Sequence, residues 1–241
     1  PPHPHPHNRD RRQRQMCIRD RVVTPMMSKA HKDGNLSEIK ELYRNSISKL
    51  AFVFLPATIL LIFIAEPLIL TMFTETYRDS IPIFMIYLIL VPTYSLNLGW
   101  ILMASGQTKY LLKLALLMSI INVILSYWLL TTLEGDNRLL GIPFSTVLVT
   151  WISTILVMNR SLATIESSFL DTYPVKEMWK IASVSVLSVL PVILLSAFEL
   201  SNPLTLVLSI TSFAIMFLVL SYKLKLIGEN EIKLAKSFLP F

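Results

Sequence analysis

The chain has 241 residues, of which 53% are hydrophobic and 16% are charged, and its mean hydropathy is +0.58. This composition indicates a membrane protein and excludes an ordinary soluble domain. Six of the 22 basic residues and two of the 16 acidic residues lie in the first 21 positions, so the net charge of +6 falls to +2 from residue 22 onward and gives no argument for nucleic-acid binding.

The first 21 residues, PPHPHPHNRDRRQRQMCIRDR, differ in composition from the rest of the chain. They have no apolar stretch long enough for a signal peptide and no amphipathic pattern typical of a transit peptide. The prolines between the histidines prevent a helix that would gather the imidazoles on one face, so we expect no metal site. The only cysteine, Cys17, excludes an internal disulfide. We predict that residues 1–21 are a non-native or disordered segment resembling translated adapter sequence, with a basic interaction arm as the alternative.

Residues 22–49 are predicted to form an amphipathic connector on the cytoplasmic side. Apolar residues recur there at helical spacing after a Gly-Asn turn, and charged residues occupy the opposite face. Ser37 is placed to cap the helix. The pattern fits a connecting helix at the mouth of a helix bundle, and a membrane-surface anchor is the less favoured alternative because its polar face would be more basic.

Six apolar stretches follow, each long enough to cross the hydrocarbon core as an α-helix. About 20 residues at a rise of about 1.5 Å span a core about 30 Å thick. None shows the alternation of a barrel strand, and backbone groups in lipid must bond within their own segment, so we predict an all-α polytopic membrane protein. The predicted spans are residues 50–73, 81–104, 111–130, 139–158, 181–198 and 203–222, with residues 223–241 as a cytoplasmic tail.

The basic residues predict the orientation of these spans. From residue 22 onward, fourteen lysines and arginines fall on one side, and only Arg78 and Arg138 fall on the other. By the positive-inside rule the richer side is cytoplasmic, which places both ends of this chain in the cytoplasm.

Several features in a fixed order resemble the multidrug/oligosaccharidyl-lipid/polysaccharide flippase superfamily. Within it, the chain is most similar to the polysaccharide and O-antigen transporters, over residue 22 to the C-terminus. The features are Pro25 of the TP turn, Pro56 in the first span, the AEP sequence at 65–67, the ASGQTK turn at 104–109, Asn122 in the third span and Gly141 at the start of the fourth.

This resemblance implies a MATE-like fold of 12 to 14 helices in two lobes that face a central cavity. Such proteins move an undecaprenyl-type lipid-linked glycan between leaflets by alternating access. The six spans would then be the C-terminal half, and the chain would be a fragment that is inactive alone. The implied partners are membrane lipids, the lipid-linked glycan, the missing N-terminal lobe and glycan-assembly enzymes. No cofactor is expected.

No lysine or arginine lies at mid-membrane depth in the predicted spans, so a headgroup bound here would contact uncharged side chains. A sugar diphosphate loses its hydration in hydrocarbon, and a carrier must replace that hydration with polar groups. Helix packing is the competing interpretation for the hydroxyl residues, and Asn122 fits either a partner helix or the cavity. The candidate cavity residues are Tyr94, Asn97, Asn122, Thr146 and Thr150, with Ser153 on the same helix face as the two threonines.

Three prolines and one acid complete the candidate residues. Pro56, Pro92 and Pro191 are predicted hinges because proline removes a helical hydrogen bond, although many membrane prolines are static kinks. Glu66 lies within the first predicted span and is a candidate for ion coupling. Its position near the outer end favours a simple interfacial role instead.

The leading function is therefore a lipid-linked oligosaccharide or polysaccharide flippase in the cytoplasmic membrane, and not an enzyme. An ion-coupled drug or metabolite antiporter of the same superfamily is the alternative, and it would require a carboxylate such as Glu66. A membrane-embedded enzyme of glycan assembly is less favoured, because such enzymes need catalytic side chains near an interface and the outer loops here are short.

Overall fold

The computed structural model describes residues 36–96, 99–198, 201–224 and 226. All the regular elements among these residues are helices, and none of these residues lies in a β-strand, which confirms the all-α prediction. The helices are α1 (Leu36–Phe63), α2 (Ala65–Met72), α3 (Ile81–Leu88), α4 (Thr93–Leu96), α5 (Gly99–Ala104), α6 (Thr108–Thr132), α7 (Gly141–Thr164), α8 (Phe169–Thr172), α9 (Val175–Leu187), α10 (Leu190–Ser196) and α11 (Asn202–Lys223). Two 3₁₀-helices cover Glu75–Ser80 and Gly135–Leu140.

Six helical stretches in the described part are long and apolar enough to cross a membrane, which confirms the predicted number of spans. The first to sixth spans are Ile39–Phe63, Glu75–Leu96, Thr108–Thr132, Arg138–Thr164, Val175–Ser196 and Asn202–Lys223. The predicted segment at residues 1–21, the start of the connector and most of the C-terminal tail lie outside the described residues.

The amphipathic segment continues without a break into the first span, as one helix from Leu36 to Phe63. Its apolar side chains Ile39, Tyr43 and Ile47 are almost fully buried against Ile165 and Tyr173. The apolar face therefore packs on protein, as expected of a connecting helix in a bundle.

The spans pack side by side in pairs, and some of the paired spans are distant in the sequence. The third span lies along the fourth, the first lies along α9, and α11 packs against both α10 and α2. The broken second span contacts the fourth through α3 and α4, and α5, which follows the second span, also contacts the fourth. The fourth span is thus the common neighbour of the second and third spans.

Large apolar side chains cover much of the outside of the bundle. Val123, Ile124 and Tyr127 on the third span are 64–70% exposed, and similar residues lie on the other spans. An apolar exterior of this kind suits contact with lipid chains, where exposed apolar surface has no cost.

The third and fourth spans approach closely at Gly141, where α7 begins. A Cβ atom at this position would lie 2.8 Å from Leu129 Cβ and 3.3 Å from the carbonyl carbon of Leu129. Backbone cannot move aside as easily as a flexible side chain, so the contact requires glycine.

We therefore expect Gly141→Ala to lower the free energy of unfolding by about 1–3 kcal/mol, the usual cost of overpacking. Denaturant unfolding of the purified chain in detergent would measure the change. Ser119→Thr is the matched control, because it also adds one methyl group but at an exposed position of α6. Equal unfolding midpoints for the two variants would show that the third and fourth spans can move apart at residue 141 without loss of stability.

Candidate functional site: a polar cleft beside a broken helix

The second span is interrupted between α3 and α4, at residues 89–92. Pro92 has no backbone N–H, so the carbonyl of Leu88 lacks its normal helical donor. The chain responds by tightening: the amides of Ile89, Leu90 and Val91 each bond to the carbonyl three residues back, at 3.0–3.1 Å. The interruption is therefore a short hydrogen-bonded turn inside a membrane-spanning segment.

A side chain from the fourth span satisfies the carbonyl that this turn leaves open. The amide of Thr93 would normally bond to the carbonyl of Ile89, but it bonds to Leu90 instead, at 2.9 Å. The indole Nε1 of Trp151 donates to the carbonyl oxygen of Ile89, at 3.2 Å. This bond joins the broken span to the fourth span at the position of the break.

Next to this bond, the second and fourth spans enclose a cleft of about 240 Å³. Tyr94, from the wall formed by the second span, is 60% exposed, and its ring packs against that of Phe54 with centroids 6.0 Å apart. None of the described residues that line the cleft is charged. They are Leu90, Thr93, Tyr94, Thr150, Ser153, Thr154 and Val157.

A second hollow of about 340 Å³ shares Ser153 and Val157 with the cleft. Its other walls come from α5 and α6 and are mainly apolar, with Trp100, Met103 and Leu111 among them. The polar cleft therefore continues into an apolar hollow on the third-span side of α7.

Asn122 and Thr146, two of the predicted cavity residues, form a polar network between the third and fourth spans. Asn122 Oδ1 accepts hydrogen bonds from Ser145 Oγ at 3.1 Å and from Ser126 Oγ at 3.3 Å. Asn122 Nδ2 donates to Thr146 Oγ1 at 3.5 Å. The structure thus places Asn122 against a partner helix, one of the two positions that the sequence allowed, and brings Tyr94 and Thr150 together at the cleft.

Glu66 is ion-paired with Arg78, at 2.6 Å between carboxylate and guanidinium. Arg78 also contacts Glu75, at 2.9 Å, and the side chains of both Glu66 and Arg78 are more than half exposed. The carboxylate is therefore exposed and paired on α2, beyond the end of the first span at Phe63, and not within that span as predicted. This environment differs from that of an intramembrane coupling carboxylate.

At the opposite end of the bundle, Tyr173 lies in the loop between the fourth and fifth spans and contacts the end of α4. Its hydroxyl donates to the carbonyl oxygen of Leu96 at 3.1 Å, and its ring meets that of Tyr43 edge-on. Burial raises the pKa of Tyr173, so the phenol stays protonated and keeps donating this bond. The contact fixes the chain immediately before Asn97, a predicted cavity residue that lies outside the described residues.

The predicted hinges have different surroundings. Pro56 lies inside the unbroken helix α1. Pro191 is the second residue of α10, directly after a break at residues 188–189 in the fifth span. Of the three, Pro92 lies beside the cleft.

Sequence reasoning missed three residues that organise this region: Trp151, Thr154 and Tyr173. Trp151 had a detectable signal, because tryptophan in membrane proteins is concentrated at the interfaces and this one lies near the middle of a span. In the described part of the chain, no group of three histidine, cysteine or acidic side chains could hold a metal ion.

The six spans and the uncharged polar cleft between two of them define a polytopic membrane protein with the features of a carrier. The family model of the lipid II flippase MurJ matches residues 20–222, and the chain belongs to this family. It is therefore a multi-pass protein of the cytoplasmic membrane, a transporter of lipid-linked precursors and not an enzyme. No curated protein and no solved structure gives a significant match.

The bond from Trp151 to Ile89 makes a prediction about local stability. We expect Trp151→Phe to speed backbone amide exchange in residues 89–94 by about tenfold, because a carbonyl in lipid loses its donor. Hydrogen exchange measured by mass spectrometry on the chain in nanodiscs would detect the change. Trp128→Phe, at an exposed tryptophan of the third span, is the control. Unchanged exchange in Trp151→Phe would show that the turn is stable without the indole.

Proposed function

We propose that this chain carries the headgroup of a lipid-linked saccharide precursor across the cytoplasmic membrane by alternating access. The single observation that supports this function most strongly is the uncharged, hydroxyl-rich cleft between the second and fourth spans. Its position in a chain of the lipid II flippase family agrees with the proposal.

The cleft lies near the middle of the membrane, where a flippase needs polar groups. Thr150 is about 20 Å along the helix from either end of the fourth span, at a rise of about 1.5 Å per residue. A headgroup that leaves water loses hydrogen bonds worth several kcal/mol for each unpaired polar group. Hydroxyl groups at mid-membrane depth replace part of that hydration, while the lipid tail remains among other tails.

The broken second span is the element that we propose moves during transport. An interrupted helix changes angle with less loss of hydrogen bonds than a continuous one, and Pro92 already lacks one bond. The bond between Trp151 and Ile89 would hold one of the two arrangements. Pro56 and Pro191 remain candidate hinges in the first and fifth spans.

We propose that the end of the bundle that carries Lys40, Lys49, Lys109 and Lys176 faces the cytoplasm, according to the positive-inside rule. Both ends of this chain would then be cytoplasmic, and the Glu66–Arg78 pair would face outward. The resemblance to two-lobed flippases also supports a second lobe opposite the cleft, with this chain as the C-terminal lobe.

For the cargo we propose lipid II, which the family is named for, with an O-antigen or polysaccharide precursor as the alternative that the sequence resemblance favours. Both cargoes present sugars on a lipid, so the cleft chemistry suits either. The ion-coupled antiporter has less support, because Glu66 is paired with Arg78 at an exposed position.

Flipping in cells tests the proposed function. We expect the two-lobed protein that contains this chain to restore lipid II flipping in bacterial cells depleted of their own flippase. Thr150→Val, which removes one cleft hydroxyl and keeps the side-chain shape, should slow flipping about three- to tenfold, the value of one neutral hydrogen bond. The measurement is the fraction of lipid II cleaved by a headgroup-hydrolysing enzyme added outside the cells.

Glu66→Gln is the matched control for this assay, and we expect it to leave flipping unchanged because the carboxylate serves only the pair with Arg78. Lost flipping in Glu66→Gln with normal flipping in Thr150→Val would favour the coupled antiporter. Rescue of a lipid-linked O-antigen precursor, and not of lipid II, would replace the proposed cargo with its alternative.

A further inference from the structure

The proposed function leaves open which part of the headgroup the cleft contacts. A lipid-linked saccharide presents a charged diphosphate and neutral sugar rings, and these need different partners. We propose that the cleft is a subsite for one uncharged sugar ring, stacked on Tyr94, and that the diphosphate binds elsewhere. This inference rests on the proposed function.

The cleft lacks the charge that a diphosphate requires. A diphosphate is normally bound by arginine, lysine, a metal ion or a cluster of backbone amides. The cleft residues in the described part of the chain offer none of these side chains, and only neutral hydroxyl groups line it. A doubly charged group here would lose its hydration without a compensating cation.

The cleft offers both hydrogen-bond donors and acceptors, as a sugar requires. Thr93 and Thr154 donate their hydroxyl protons to carbonyl oxygens of their own helices, at 2.6 Å to Leu90 and 2.9 Å to Thr150, so towards a ligand they act as acceptors. The hydroxyl groups of Thr150 and Ser153 make no hydrogen bond to any described residue and can both donate and accept. Sugar hydroxyls also donate and accept, whereas a phosphate only accepts.

The ring of Tyr94 offers a flat surface on which a sugar ring can stack. It is 60% exposed, and packing against Phe54 on the first span limits its rotation. A sugar ring has an apolar face of C–H groups, and an aromatic ring with a fixed orientation is the natural surface for such a face. The phenol hydroxyl adds one further hydrogen-bonding group at the edge.

The size of the cleft agrees with a single ring. Its volume of about 240 Å³ lies below the range of about 300–1,000 Å³ that is typical of sites for drug-sized ligands. One sugar ring is a smaller group than those ligands. A whole headgroup would extend beyond the cleft.

Two lipids that differ only by one sugar test this inference. The probes are undecaprenyl diphosphate and undecaprenyl diphosphate linked to one N-acetylglucosamine, and native mass spectrometry measures their affinities for the full chain in nanodiscs. We expect wild type to bind the sugar-bearing lipid about tenfold more tightly. Tyr94→Ala should abolish that preference without changing the affinity for the bare diphosphate, and Tyr94→Phe should keep most of it.

Two further variants keep the test decisive. Tyr127→Ala removes a tyrosine that is 70% exposed on the third span, outside the cleft, and should keep the full preference. Ser153→Ala removes a hydroxyl group that no described residue needs, and it should reduce the preference about threefold even if Tyr94→Ala fails to fold.

The binding results distinguish failure of the sugar subsite from failure of the proposed function. Absence of a preference in wild type, or equal weakening of both lipids in Tyr94→Ala, would overturn the sugar subsite and leave the proposed function standing. Failure of wild type to bind either lipid would overturn the proposed function and the subsite together.

Discussion

A backbone carbonyl within a membrane-spanning segment needs a hydrogen-bond donor, and at Ile89 this requirement ties the second span to the fourth. Each unsatisfied group in hydrocarbon costs several kcal/mol. Pro92 interrupts the helix, the chain tightens around it, and the indole of Trp151 supplies the donor that the helix no longer provides. The cleft follows from this arrangement, because Thr93 and Tyr94 come directly after the break and Thr150 lies one residue before Trp151.

The fourth span separates two kinds of polar contact along its length. Ser145 and Thr146 bond to Asn122 and hold the third span in place. Thr150, Ser153 and Thr154, about one to two and a half turns further on, line the cleft. The fourth span is therefore held to the third span by hydrogen-bonded side chains, and it faces the second span across the polar cleft. This division suits a carrier, in which a fixed frame supports a movable wall.

The sequence predicted much of the fold because long apolar segments have few alternatives in lipid. The six spans, the all-α class and the superfamily all followed from apolar length and the order of a few features. Pro92 was one of three predicted hinges, and the helix is interrupted directly before it, whereas Pro56 lies inside an unbroken helix. A proline in the sequence therefore shows where a helical hydrogen bond is lost, but not whether the helix breaks there.

The site was harder to predict because side-chain partners depend on helix rotation and depth. Thr146 and Thr150 share one helical face by spacing, yet Thr146 contacts Asn122 and Thr150 lines the cleft, because two different helices cross that face at different heights. Glu66 has a partner twelve residues away that no periodic pattern indicates. Trp151 bonds to a carbonyl 62 residues away, and only the three-dimensional packing brings them together.

Access of water to the cleft is the most direct test of the account. In a chain whose Cys17 is replaced by serine, a membrane-impermeant maleimide should label Thr150→Cys, at mid-membrane depth in the cleft. It should not label Ile120→Cys on the apolar exterior of the third span. Ile120 lies twelve residues from the end of that span at Thr132, as Thr150 lies twelve residues from the start of the fourth span at Arg138. Equal protection of both cysteines from the reagent would contradict the account, because a cleft closed to water cannot receive a hydrated headgroup.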